Sequence, residues 1–349
     1  MNNSQSSLTV GGVKETAGSM SEAMFYQFTL AHLVILSSIV SIPGVIFNLV
    51  IVIVFCKLGF KESSNVSLVG LAVADIGVLL TMIGYSVIYN PILLEATPHL
   101  DIIDAVNYVV LGWPHILFSR IAGCLTTLVT MERFFCVALP LKVKTMITPR
   151  KTFLSSSMVY AVMVLSSCPA FVANTISDRW RPDLNISLVG LVALPNSDFL
   201  EGITLSVNVF VELSSFTLVS IFTVALIRAF KKTSRWRNSS SSSSKIHSLS
   251  TRDKMLVKTV ILISVVFIAC SLPGVIGTMV MFFVKEFKVS GSEKFLFVAA
   301  FSVFFILGSI NSSVTIFIYF NMSSRFKDVL LSMLRLKGHS KSEGILNDG

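Results

Sequence analysis

The chain has 349 residues, of which 53% are hydrophobic and only 13% are charged. Soluble domains usually carry about 25% charged residues, so this composition excludes an ordinary soluble globular protein and points to an integral membrane protein. The net charge of +9 is read below as membrane topology, and no nucleic-acid partner is expected.

Residues 1–30 are polar. They lack the basic segment and apolar core of a cleaved signal peptide, so they read as an extracellular tail and the first span as the signal anchor. Seven apolar runs follow, at about 31–56, 66–89, 102–130, 152–173, 203–227, 255–284 and 295–320. Each is long enough to cross the hydrocarbon, which takes roughly 20 apolar residues. None shows the alternation of barrel strands, and only helices and closed barrels satisfy the backbone in lipid. The predicted fold is therefore all-α and integral to the membrane: a seven-transmembrane helix bundle over residues 31–320.

Taken in order, the spans carry few polar groups. Asn48 lies in the first and Asp75, within LAVAD, in the second. The third is interrupted by Trp113, Pro114, His115, Ser119 and Arg120 before it reaches Glu132, Arg133 and Phe134; Trp113 and Pro114 are read as shaping a kink. Arg120 precedes Arg133 by 13 residues, about 20 Å along a helix. Glu212 lies in the fifth span, Ser271 in the sixth, and Asn311, Ser312 and Tyr319 in the seventh. An ionisable group inside a span costs roughly 2.5–3.5 kcal/mol on insertion scales, so each marks a functional candidate.

The connections set the orientation. With the N-terminus outside, 21 Lys and Arg residues fall on the cytoplasmic side and six on the outer side, which predicts a plasma-membrane protein with its N-terminus out and C-terminus in. Asn2 and Asn185 begin outer-side glycosylation sequons. The inner loop at about 228–254 contains NSSSSSSK, a plain linker or a phosphorylation tract. The five cysteines lie in spans or at their inner edges, so no outer disulfide is expected and all read as small buried hydrophobes. After the last span, residues 321–337 place Phe326, Val329, Leu330, Met333 and Leu334 on one stripe, an amphipathic helix on the membrane surface. Residues 338–349 form a cytoplasmic tail.

These residues, in this order, resemble the rhodopsin-like G-protein-coupled receptors. Asn48 and Asp75 match the family's polar positions in spans one and two, and Glu132-Arg133-Phe134 followed by VALPLK matches its acidic-Arg-aromatic triplet and loop proline. FIACSLP at 267–273 and Asn311-Ser312 with Tyr319 match its sixth and seventh spans. GWPH and ALPLKVKTMITPRK are similar to divergent molluscan chemosensory-type receptors. The chain departs at Ser271, where the family has tryptophan, at Thr315-Ile316, where it has Asn-Pro, and at Tyr108, near its usual cysteine. Ala122 replaces a usual polar residue, and the fourth span has no tryptophan.

The resemblance implies a receptor that is not an enzyme and needs no cofactor. It would bind an extracellular ligand, either a small chemosensory molecule or a neuropeptide drawn by the acidic outer surface, and activate a heterotrimeric G protein. A kinase, arrestin and membrane lipid are the further implied partners. It places Glu132, Arg133, Phe134, Asp253 and Tyr319 in the activation switch, with Arg133 held by Glu132 and Asp253. It gathers Asn48, Asp75, Asn311 and Ser312 into a polar core, which in the family often holds water and a sodium ion near Asp75; with Ala122 in place of the usual polar residue, a water-filled network without the ion is the reading preferred here. His115, Ser119, Arg120, Glu212 and Ser271 become ligand-pocket candidates. Arg120 is expected to pair with Glu212, either serving the ligand or only fixing helix register; His115 is either a ligand contact or a satisfied polar residue. The reading from a different class, a seven-span transporter or a non-signalling membrane protein, predicts charge pairs through several spans or a lysine in the seventh, and the spans carry neither.

Overall fold

The computed structural model describes residues 20–96, 105–181, 186–239, 251–284, 286–287 and 292–342. Among these, seven helices are long and apolar enough to cross a membrane: Met24–Leu58, Ser63–Ile88, Asn107–Ala138, Pro149–Val172, Ser197–Lys232, Lys254–Met281 and Lys294–Met322. They are the first to seventh spans. The second and third are buried along most of their length and form the centre, while the fourth and fifth expose most of theirs. Phe153, Leu154, Leu165, Phe199 and Phe210 are among the large side chains left exposed, as expected for helices whose solvent is lipid.

Local sequence fixes where the spans start and stop. Ser21 caps the first span through its hydroxyl, which accepts from Met24 N at 3.3 Å, and Gly59 ends it at φ 79°, a left-handed backbone that glycine adopts without strain. Thr148 caps the fourth span, with Pro149 at its first position, where a missing N–H leaves no helical bond unmade. The third span is continuous across Arg120: a π-helical stretch, Asn107–Gly112, runs straight into the α-helix Trp113–Ala138. Pro114 falls at the junction of the two, where the helix continues although proline supplies no backbone N–H.

Outside the spans lie two short helices, Pro91–Ala96 and Pro140–Met146, and two larger features. Residues Asn174–Arg181 (β1) and Ile186–Ala193 (β2) pair antiparallel, from Asn174 opposite Ala193 to Arg181 opposite Ile186. This hairpin is the described departure from an all-helical fold, built where the loop is rich in Ile, Leu and Val. At the other end, the helix Ser324–Ser342 follows the seventh span. Its Phe326 is fully buried, with ring centroids 5.6 Å from both Phe55 and Tyr319. Val329, Leu330 and Met333 also pack on the bundle, whereas Leu334 is exposed. The stripe thus grips protein first.

The cysteines do not share one environment. Cys124, Cys136 and Cys270 are partly buried, but Cys56 and Cys168 are exposed on helix faces turned away from the bundle. The expectation of five buried cysteines is corrected for these two, because small apolar side chains are equally at home facing lipid.

Candidate functional site

Third, fifth, sixth and seventh spans converge on a cavity of about 120 Å³. His115, Ser119, Arg120, Glu212 and Ser271 all line it, so the structure brings every pocket residue expected from sequence to one place. Five phenylalanines, Phe216, Phe267, Phe301, Phe304 and Phe305, contribute to the remaining wall, with small and aliphatic residues between them. Asn311 and Ser312 line the same cavity.

Arg120 Nη2 donates to Glu212 Oε2 at 2.9 Å, and Thr278 Oγ1 donates to the same oxygen at 3.2 Å. The two side chains are 21% and 13% exposed, so the pair borders the cavity rather than being sealed from it. Arg120 Nε is buried with no hydrogen-bond partner among the described residues. Sequence reasoning found the pair because a charge in an apolar span needs its opposite. It missed Thr278, since a hydroxyl in a span carries no such signal.

His115 is buried at the cavity edge, with Nδ1 2.9 Å from Thr81 Oγ1. The Thr81 hydroxyl has one proton and a carbonyl, that of Val78, 2.7 Å away; donating there leaves Oγ1 to accept from His115 Nδ1–H. The imidazole also lies 4.3 Å from the Phe305 ring centroid. His115 thus has its Nδ1 bonded within the bundle while its ring lines the cavity.

Deeper in the bundle, Ser312 Oγ donates to Asp75 Oδ1 at 2.7 Å, and Asn48 Nδ2 donates to the carbonyls of Ser312 and Gly44 at 2.9 and 3.0 Å. Asn48, Asp75 and Ser312 thus join the first, second and seventh spans; Asn311 stands beside them on the cavity wall. A Cβ on Gly44 would lie 2.2 Å from Ser313 Oγ, which is why the first span can come so close here. Asp75 is the cluster's carboxylate, Ser312 its hydroxyl, and Ala122 offers no side-chain oxygen on the third span.

The third span's other arginine lies at the end opposite the hairpin. Arg133 Nη2 donates to Ser64 Oγ. Glu132 does not hold it: Glu132 accepts from Ser67 Oγ at 2.9 Å and from Thr152 Oγ1 at 2.7 Å. The expected Glu132–Arg133 pair is corrected on geometry, because adjacent residues on a helix do not face each other. Phe134 packs on Phe222 of the fifth span at 5.8 Å, and Tyr319 is buried between Phe55 and Phe326. Asp253 falls in the helix Thr251–Phe283, but its side chain lies outside the described residues, as do Asn2 and Asn185. One turn before Arg133, Thr130 Oγ1 and Ser264 Oγ are 2.8 Å apart and fully buried. This link from third to sixth span was not read from sequence.

At the hairpin end, Asn174 Nδ2 donates to Tyr108 Oη at 3.2 Å and to Glu201 Oε1 at 2.7 Å. One asparagine at the start of β1 thereby ties the top of the third span to the start of the fifth. Tyr108 also meets Trp113 edge-on, with centroids 5.9 Å apart.

Seven membrane-capable helices, with a cavity among the third, fifth, sixth and seventh, define a multi-pass membrane protein. The family model described as 7 transmembrane receptor (rhodopsin family) matches residues 48–319, and the chain belongs to that family. None of the curated proteins compared with the chain matches it.

Proposed function

We propose that the chain is a plasma-membrane receptor, N-terminus outside, that binds a small extracellular ligand in the Arg120–Glu212 cavity and activates a heterotrimeric G protein through Arg133. The observation that carries this reading is the third span itself. One uninterrupted helix presents Arg120 to the cavity and Arg133 to the opposite end, so a change at either site is delivered to the other by a rigid element. Ligand would act by population shift, binding the active state better than the resting one.

The small-molecule class, of the kind a chemosensory receptor detects, is favoured over a neuropeptide by the cavity. It holds only about 120 Å³, is lined in part by five phenylalanines and borders the Arg120–Glu212 ion pair. The resting state is held by Arg133–Ser64 and by the Thr130–Ser264 link, with Asp253 as a further hold on Arg133. Activation would part the third and sixth spans and free Arg133. A kinase and arrestin would then act on the serine tract near residues 239–244.

The test is agonist-free G-protein activation in cells, normalised to surface expression. Asp253→Ala should raise basal output and Arg133→Ala abolish it. Well-expressed variants with unchanged output would remove the lock and return the chain to a non-signalling membrane protein.

A further inference from the structure

The Arg120 cavity has a neighbour. Between the sixth and seventh spans runs an apolar crevice lined by Leu272, Pro273, Ile276, Gly277, Phe287 and Phe304. Leu272 and Ile276 are 44% and 54% exposed, on a helix that crosses the membrane, so the crevice opens toward the hydrocarbon. No polar side chain lines it.

The two recesses share Phe304. On the sixth span, Gly274 and Thr278 face the polar cavity, while their neighbours Pro273 and Gly277 face the crevice. The Phe304 ring rests on the backbone at Gly277, where a Cβ would come within 2.3 Å of it. The wall here is one side chain thick. Phe304 continues a row of rings, with centroids 5.3 Å to Phe301 and 4.4 Å from there to Phe297. Such a row can shift without breaking a hydrogen bond. Pro273 removes a backbone bond from the facing turn, which makes that turn easier to bend.

The polar end of the route has a chemical preference. An arginine carries five N–H donors. Glu212 Oε2 already accepts from Arg120 and Thr278, while Arg120 Nε has no acceptor among the described residues. Even with Glu212 Oε1 counted, the guanidinium's N–H groups outnumber the acceptors beside them, so the cavity suits a ligand group that brings acceptors, of which a carboxylate is the strongest.

We propose that the cavity takes an amphiphile with a carboxylate head and a hydrocarbon tail, and that this ligand enters from the bilayer between the sixth and seventh spans, past Phe304. The head would lie at Arg120 and the tail in the crevice. This rests on the receptor reading above and specifies its ligand.

The experiment uses the full chain in phosphatidylcholine nanodiscs with two probes that share a head, hexadecanoate and butanoate. Hexadecanoate should bind at least tenfold more tightly than butanoate, and Arg120→Gln should weaken both at least tenfold. Ile276→Trp, at the mouth of the crevice, should slow hexadecanoate association at least fivefold and leave butanoate affinity unchanged. Leu272→Trp, also at the mouth, repeats the test if the first variant fails to fold, judged by its unfolding midpoint. Unchanged hexadecanoate association in a folded mouth variant overturns the lateral route. Failure of folded wild type to bind hexadecanoate overturns the ligand class. Neither failure touches the receptor reading, which stands or falls separately on agonist-free signalling of Arg133→Ala.

Discussion

Arg120 and Arg133 lie on the same helix, 13 residues apart, and are held in opposite ways. Arg120 meets a carboxylate on another span, backed by a threonine. Arg133 meets a serine hydroxyl, while the glutamate beside it is taken by two other hydroxyls. An ion pair in a low-dielectric bundle is hard to break, because either charge left alone is strongly destabilised. A guanidinium held by a neutral hydroxyl is easier to release. The difference suits the proposed roles: a fixed charge pair to define a ligand site, and a loosely held cation that must be freed.

The largest expected effect comes from breaking the tight end. Glu212→Ala leaves Arg120 without its carboxylate. Losing one partner of a buried pair typically costs about 3–5 kcal/mol. The cavity lets some water reach this pair, so the lower end of that range is expected. It should appear as lost surface expression and a lowered unfolding midpoint. Arg120→Glu combined with Glu212→Arg should recover part of the loss. A double variant as damaged as either single one would show that the two residues do not act as a unit.

Arg133→Ala should separate stability from signalling. Its described side-chain bond is to one neutral hydroxyl, worth about 1.5–3 kcal/mol when the donor is charged, so the protein should still reach the surface. Agonist-stimulated G-protein activation should nevertheless vanish. If Arg133→Ala is instead lost from the surface as fully as Glu212→Ala, the contrast between the two arginines is structural only.

The sequence announced one of these arrangements and concealed the other. A charge inside an apolar run must find an opposite charge, and few were on offer, so Arg120 and Glu212 could be matched before any coordinates. The seven spans were legible for the same reason, since lipid punishes any other pattern. Hydroxyls give no comparable signal. Ser64, Ser67, Thr152, Thr130, Ser264 and Thr278 stand among many serines and threonines that simply bond back to their own helix, as Thr126 and Ser309 do. The hairpin was hidden in a loop whose apolar middle is too short to force a choice. The Glu132–Arg133 pair implied by the family resemblance is not formed, because Ser67 and Thr152 take the Glu132 carboxylate and Ser64 takes Arg133.

A smaller effect should follow from loosening the soft end without touching either arginine. Ser264→Ala removes the buried bond to Thr130 that ties the third and sixth spans. One such bond contributes about 0.5–1.5 kcal/mol. If it exists only in the resting state, losing it shifts the equilibrium toward the active state, by up to about tenfold since 1.4 kcal/mol is a factor of ten. Basal signalling should rise severalfold, Thr130→Ala should match it, and the double variant should add little. A rise that doubles in the double variant would mean the two hydroxyls act separately.

The smallest expected effect lies at the hairpin end. Tyr108→Phe keeps the ring against Trp113 and removes the hydroxyl, which accepts from Asn174 and also meets the Glu201 carboxylate. Asn174 keeps its shorter bond to the Glu201 carboxylate, so the hairpin should stay attached to the fifth span and loosen only from the third. The loss should be near the bottom of the 0.5–1.5 kcal/mol range, seen as faster amide exchange in β1. Asn174→Ala cuts both links and should do more. No disulfide joins the described cysteines, so a reductant should leave ligand binding unchanged in wild type and in both variants. Sensitivity to reductant would instead place a covalent tether where this network of one asparagine, one tyrosine and one glutamate is taken to be sufficient.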